Sequence, residues 1–189
     1  METENATRLL NKAISIGAMP GAVFLTGNSN EILDEKALGH LTYALDSPST
    51  TPETIYDLAS LTKVIVTTPL AMIFYERGLL KLEAPVNNYI PEFSGKNKND
   101  VLVIDLLAHC GGLLWWTDLY KLAIHESVID TKQNYIDKIC GLPLDYPPRS
   151  KFVYSDLGFL LLGEILERLT KSSLDQLVYD EIFRPLGMD

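Results

Sequence analysis

The stretch IYDLASLTK, residues 55–63, places the hydroxyl of Ser60 and the amine of Lys63 three residues apart at the start of an apolar segment. Residues at this spacing share one face of a helix. A serine hydroxyl is a weak nucleophile at neutral pH, and a partly desolvated lysine can act as its base or carry its proton. The spacing alone also fits an alternative, an exposed serine at a helix start beside a solvated lysine.

The surrounding sequence favours a site over a surface. An apolar run over residues 64–74 follows the pair, and Gly78 stands where glycine commonly ends a helix. A second polar group, Tyr154-Ser155-Asp156, comes directly before another strongly apolar run, residues 160–169. We therefore predict two buried helices, each with polar side chains at its first turn.

These two segments together resemble the serine β-lactamase and penicillin-binding-protein superfamily. They resemble in particular its class C-like branch, which includes D-Ala-D-Ala carboxypeptidases and β-lactamase-like esterases. Members carry Ser-x-x-Lys and, in this branch, Tyr-x-Asn. Here Ser60 to Lys63 matches the first motif, and Tyr154-Ser155-Asp156 stands in the place of the second with Asp156 replacing the amide. The resemblance runs from about residue 20 to the last residue.

The resemblance implies an α+β, β-lactamase-like fold, with a mostly helical lobe and the N-terminal hairpin of an incomplete antiparallel sheet. We expect one domain over 1–189, with the N-terminal helix and hairpin in 1–54 and the helical lobe in 55–189. The family's third motif, Lys-Thr-Gly or His-x-Gly, does not follow Gly187 in this sequence. His109-Cys110-Gly111 fits His-x-Gly by letter but precedes the tyrosine, and we interpret it as a turn. The chain is therefore expected to be truncated, with its C-terminal part missing.

The resemblance also implies roles for individual residues. Ser60 would attack a carbonyl to form an acyl-enzyme, while Lys63 and Tyr154 would share the proton transfers. Asp156 would orient Lys63 or contact the substrate. Trp115 and Trp116 would bind substrate by lining the cleft, although adjacent side chains point to different sides and one of the two is expected in the core.

Two hypotheses about function follow. The first is a serine hydrolase that acts on an ester, a D-amino-acid peptide or a β-lactam. The second is a catalytically impaired fragment that serves only as a binding or assembly module. In either case the missing strands would leave Val23, Phe24, Leu25 or their neighbours exposed, which predicts self-association through the sheet edge.

The composition limits which kinds of partner are expected. With 16 basic and 25 acidic residues, the formal charge is −9 and there is no basic stripe, so nucleic acid is not an expected partner. His, Cys and carboxylate residues show no metal-ligand spacing, which predicts no metal and no cofactor. No run reaches the roughly 18 apolar residues of a membrane span. No secretory signal is visible, so we expect a cytoplasmic protein, or an extracytoplasmic one if a signal was removed.

Local patterns complete the prediction. The charged run over residues 96–100 predicts a solvated loop, and Asn28-Ser29-Asn30 predicts the turn of a hairpin. Strands are predicted over 21–27 and 36–43. Helices are predicted over 6–16, 61–75, 101–108, 119–125, 131–140, 157–169 and 174–183.

Overall fold

The computed structural model of the protein describes residues 2–95, 97–119, 121 and 131–188. The chain forms two compact units, Met1–Asp57 and Leu58–Asp189. That the whole chain acts as one domain stays a prediction. The helix predicted over 119–125 falls almost entirely outside the described residues.

The N-terminal unit consists of one helix and one hairpin. Helix α1 spans Glu2–Ser15, and strands β1 (Gly21–Gly27) and β2 (Ile32–Gly39) pair antiparallel, with Gly21 opposite Gly39. The side-chain oxygen of Asn28 accepts the backbone N–H groups of Asn30 and Glu31, which closes the predicted turn. The two-stranded antiparallel sheet is therefore confirmed.

The predicted position of the second strand, 36–43, was wrong. Because the turn at Asn28 is tight, pairing resumes at Ile32, opposite Gly27. The strand ends at Gly39, whose φ of +73° takes the chain out of the extended conformation. Beyond it, the Leu41 N–H donates to the Pro48 carbonyl instead of continuing the ladder.

Apolar side chains of this unit stay in contact with solvent. Leu25 is 54% exposed and Ile32 is 63% exposed, while Val23 and Phe24 are half-buried. Among the described residues, every fully buried apolar side chain lies in the second unit. The hairpin and helix therefore have no closed core of their own.

The second unit is helical. Short 3₁₀ turns occur at Ala59–Leu61, Val86–Asn88 and Lys98–Asp100. The helices are the π-helix Lys63–Thr67, α2 Thr68–Glu76, α3 Val103–Leu107, α4 Thr131–Gly141, α5 Asp156–Thr170, α6 Leu174–Val178, the π-helix Tyr179–Phe183 and α7 Arg184–Leu186. Each predicted helix within the described part of the chain is present, with shifted ends.

The helix that follows Ser60 is less regular than predicted. Pro69 is the second residue of α2, and proline lacks an N–H and clashes with the carbonyl four residues earlier. The preceding turn is accordingly the wider π-helix Lys63–Thr67. At the other end, the Gly78 N–H donates to the Tyr75 carbonyl and the Leu79 N–H to the Phe74 carbonyl, which confirms the predicted glycine stop.

Helix α5 forms the centre of the core. It buries one long apolar face, and it approaches α3 closely where Gly158 lies against Leu106. The π-helix Lys63–Thr67 also packs against it. This packing brings the start of α5 beside Lys63. The largest fully buried side chains around it are Leu70, Leu80, Ile90, Phe93, Leu106, Ile139, Leu157, Leu161, Leu162, Ile165 and Leu166.

One charged residue belongs to this core. Lys98 is 3% exposed, its ammonium donates to the Cys140 carbonyl, and it lies 5.3 Å from the centre of the Phe93 ring. The prediction of a solvated loop over 96–100 was therefore wrong for Lys98, while Lys96 falls outside the described residues.

Candidate active site

Ser60 is exposed at a sharp turn in the backbone. The preceding residue, Ala59, has a φ of +43°, a left-handed conformation that costs a residue with a Cβ about 1–2 kcal/mol. Strained backbone of this kind is found most often at functional sites. The turn presents the Ser60 side chain to solvent, one helical turn before Lys63.

Lys63 links Ser60 to Asp156. Its Nζ lies 3.4 Å from the Ser60 Oγ and 2.5 Å from the Asp156 Oδ1. Burial alone would lower the pKa of Lys63, but hydrogen bonds to Asp156 and Tyr154, and the charges of these groups, raise it above the ordinary value of 10.5. At neutral pH, Lys63 is therefore an ammonium ion.

Tyr154 completes the cluster. Hydrogen bonding to Ser60, then hydrogen bonding to Lys63 and the positive charge of Lys63, lower the pKa of Tyr154 below its ordinary value of 10.0. The Lys63 Nζ lies 4.9 Å from the centre of the Tyr154 ring. A neighbouring cation favours the phenolate, which is the form of tyrosine that can accept a proton from a serine.

Backbone and side-chain hydrogen bonds hold the Tyr154 loop. The Ser155 hydroxyl donates to the Leu114 carbonyl at 2.6 Å and accepts the Gly158 N–H at 3.3 Å, so Ser155 caps α5. The Asp156 N–H donates to the Trp115 carbonyl at 3.0 Å. Asp156 is thereby fixed in the first turn of α5, with its carboxylate on Lys63.

His109 is a part of the site that the sequence prediction missed. Its Nδ1 accepts the Ser155 N–H at 3.0 Å, and its carbonyl accepts the Val153 N–H. Its ring centre lies 4.5 Å from that of Tyr154. The sequence predicted a turn at His109, and the backbone φ of +54° agrees with a turn. No local pattern indicated the contact between His109 and Tyr154, because these residues are 45 positions apart.

Both tryptophans are at the surface, and Trp116 lines a groove. Trp115 is 65% exposed and Trp116 is 36% exposed, so the expectation that one lies in the core was wrong. Residues 113–116 form an irregular segment at the surface, and only Leu113 of this segment is deeply buried. Trp116 lines a groove of about 530 Å³ that opens beside Lys63 and Asp156.

This groove follows one face of α5. Lys63 and Asp156 stand at one end, and Lys132, Glu164 and Glu167 stand together at the other. The wall between is mainly apolar, and it includes Trp116, Leu119, Tyr135, Phe159, Leu160, Gly163 and Leu174. A groove of this size fits a small organic group beside Lys63 and Asp156.

The structure thus brings Ser60, Lys63, Tyr154 and Asp156 into one cluster, with Trp116 in the adjoining wall. The arrangement places a hydroxyl beside a cation and a tyrosine of lowered pKa, groups from which a nucleophile and its base can be formed. Over the described part of the chain, no three His, Cys, Asp or Glu side chains are grouped as a metal site would need. No helix among the described residues has the length and apolar character to cross a membrane.

Comparison with known proteins agrees with this geometry. The family described as Beta-lactamase matches residues 7–189. The Escherichia coli (strain K12) protein named "Putative D-alanyl-D-alanine carboxypeptidase" is 31% identical over 194 residues, which cover 96% of this chain and 44% of that protein.

Two solved structures share the fold. One is EstCE1, described as a hydrolase with promiscuous acyltransferase activity, with a TM-score of 0.83, 24% identity, and coverage of 98% of this chain and 51% of that one. The other is the octameric penicillin-binding protein homologue from Pyrococcus abyssi, with a TM-score of 0.81, 23% identity, and coverage of 100% and 44%. The chain therefore spans about half the length of these proteins.

Proposed function

Because the chain belongs to the Beta-lactamase family, as its match over residues 7–189 shows, we propose that it acts as a serine hydrolase through an acyl-enzyme on Ser60. The observation that carries this proposal is the Lys63 ammonium, which lies within reach of the Ser60 hydroxyl and the Asp156 carboxylate and also lowers the pKa of Tyr154.

In the proposed reaction, Tyr154 is the base. Its phenolate takes the Ser60 proton as the oxygen attacks the substrate carbonyl, and it returns that proton to the leaving group. The raised pKa of Lys63 argues against a neutral amine as the base at neutral pH. Lys63 instead stabilises the phenolate, and Asp156 holds the ammonium in place.

The substrate class that we propose is an ester, a D-amino-acid peptide or a β-lactam. The name of the Escherichia coli relative supports the peptide, and the description of EstCE1 as a hydrolase with acyltransferase activity supports transfer of an acyl group. The mainly apolar groove beside Lys63 would hold the acyl or leaving group. Asp156 offsets the positive charge of the Lys63 ammonium, which the amide usual in the family would not do, and this disfavours substrates that carry a carboxylate, such as β-lactams.

Acylation of Ser60 tests the proposal. The chain should turn over p-nitrophenyl acetate slowly and take up a fluorescent penicillin weakly, and intact-protein mass spectrometry should place the adduct on Ser60. Ser60→Ala should abolish both signals, whereas Ser94→Ala, at an exposed serine outside the cluster, should leave them unchanged. No adduct in the wild type would instead support the second hypothesis, a binding or assembly module without activity.

We also propose that the chain self-associates through its hairpin. Among the described residues no third strand pairs with β1 or β2, and Leu25 and Ile32 remain largely exposed. Isolated two-stranded hairpins are only marginally stable in water. Pairing with a second copy, edge to edge or by strand exchange, would cover these side chains.

Light scattering across micromolar concentrations measures this association. We expect a mass above the 21.1 kDa of the single chain, rising with concentration. Leu25→Lys should shift the protein toward the monomer, because a charge on an open strand opposes pairing. The exposed Leu186→Lys, outside the hairpin, is the matched control. A stable wild-type monomer over the whole range would refute the proposal.

A further inference from the structure

The His109 side chain lies where it can fix the position of Tyr154. Its ring centre is 4.5 Å from that of Tyr154 and 5.0 Å from that of Phe159, with interplanar angles of 33° and 31°. The ring of Phe152 meets it edge-on at 5.8 Å. Three aromatic side chains therefore restrict the imidazole, and one of them, Tyr154, is the proposed base.

The hydrogen bond to His109 defines the protonation state of the ring. The Ser155 N–H is a donor, so the His109 Nδ1 that accepts it carries no proton. The imidazole is therefore neutral, with its proton on Nε2. Ser155 is 4% exposed, so its N–H has little access to water if this acceptor is lost.

We propose that neutral His109 is a positioning residue for Tyr154, which holds the Tyr154 loop against Lys63 and releases it when the imidazole is protonated. Protonation would place an Nδ1–H against the Ser155 N–H, so two donors would face each other. Tyr154 directly precedes Ser155 in the chain. Without the Ser155–His109 hydrogen bond, the loop would no longer keep the Tyr154 phenol beside Ser60. This inference rests on the proposed role of Tyr154 as the base.

The charges around His109 favour its neutral form. Burial lowers the pKa of His109, the Lys63 ammonium lowers it further, and the Asp156 carboxylate raises it by less, so it lies below the ordinary value of 6.5. Among the described residues, the titratable groups that face the ring are Lys63, Asp156 and the Tyr154 phenol. The hydrogen bond is therefore intact at neutral pH and is lost as the pH falls through this lowered pKa.

A pair of near-isosteric variants isolates the acceptor. In His109→Asn, the amide oxygen can take the place of Nδ1, it does not titrate, and asparagine tolerates the φ of +54°. In His109→Leu, the shape is similar but the acceptor is gone. Both variants lose the aromatic ring, so the difference between them reports the lost acceptor together with the higher cost of a left-handed φ for leucine.

The experiment combines pH profiles with NMR. For p-nitrophenyl acetate, the wild-type rate should show a step at the midpoint of His109, separate from the titration of Tyr154 itself. His109→Asn should lack the His109 step, and His109→Leu should be about tenfold slower than His109→Asn at pH 7. A step unchanged in His109→Asn, or a rate in His109→Leu equal to that of His109→Asn, would overturn the proposal.

The NMR measurement does not need enzymatic activity. Long-range ¹H–¹⁵N spectra of the three histidines, with His109 assigned from His109→Asn, should show the Nε2–H tautomer at pH 7 and titration below pH 6.5. The ring signals of Tyr154 should move with the same midpoint. An Nδ1–H tautomer, or Tyr154 signals that ignore the transition, would overturn the proposal. A chain that neither turns over p-nitrophenyl acetate nor forms a penicillin adduct would refute the proposed function and leave the NMR result to decide the role of His109.

Discussion

Tyr154→Phe is expected to lower the acylation rate of Ser60 by about 10²–10⁴-fold, which is the usual contribution of a positioned acid–base group. The substitution removes only the hydroxyl. The aromatic ring remains against His109 and beneath the Lys63 ammonium, so the loop should keep its position. The loss therefore measures proton transfer rather than folding. Single-turnover kinetics with p-nitrophenyl acetate give the rate directly.

The same experiment distinguishes the two candidate bases. Tyr75→Phe, at another half-exposed tyrosine, is the matched control and should keep the full rate. If Tyr154→Phe also keeps its rate within a factor of a few, a neutral Lys63 must be the base. That outcome would require Lys63 to lose its proton despite the hydrogen bonds to Asp156 and Tyr154 that raise its pKa.

The sequence predicted the parts of this protein that depend on local pattern. The apolar runs after Lys63 and Asp156 predicted the central helices, because long apolar segments of this kind must be buried. The spacing of Ser60 and Lys63 required only one helical turn. Tyr154 was identified through the family resemblance, since nothing local to the tyrosine indicates that it meets Ser60.

The failures of the sequence prediction lie where tertiary contacts or turn geometry decide. The register of β2 is set by the tight turn at Asn28, and strand propensities carry no information about turn length. Lys98 lies in a charged run but is buried because its ammonium donates a hydrogen bond to the Cys140 carbonyl and the Phe93 ring covers it. Likewise His109 acquires its role only through residues of a distant loop.

Gly112 follows closely after the turn that carries His109. Gly112 has a φ of +86°, and a Cβ at this position would lie 2.5 Å from the Tyr146 carbonyl oxygen and 3.3 Å from the Leu144 Cδ1. Any other residue at position 112 would therefore destabilise the fold in two ways, through its backbone conformation and through steric overlap. A left-handed φ costs about 1–2 kcal/mol, and overpacking against backbone typically adds about 1–3 kcal/mol.

We expect Gly112→Ala to lower the free energy of unfolding by about 3 kcal/mol, a fall in Tm of about 6–12 °C for a chain of this size, measured by calorimetry. Gly78→Ala is the matched control, because Gly78 has a similar φ of +71° and no atom within 4 Å of the added Cβ. It should cost only about 1 kcal/mol. Equal losses in the two variants would mean that the backbone near Tyr146 yields easily. A larger loss at Gly112, accompanied by slower acylation, would tie this close contact to the turn on which His109 and Tyr154 depend.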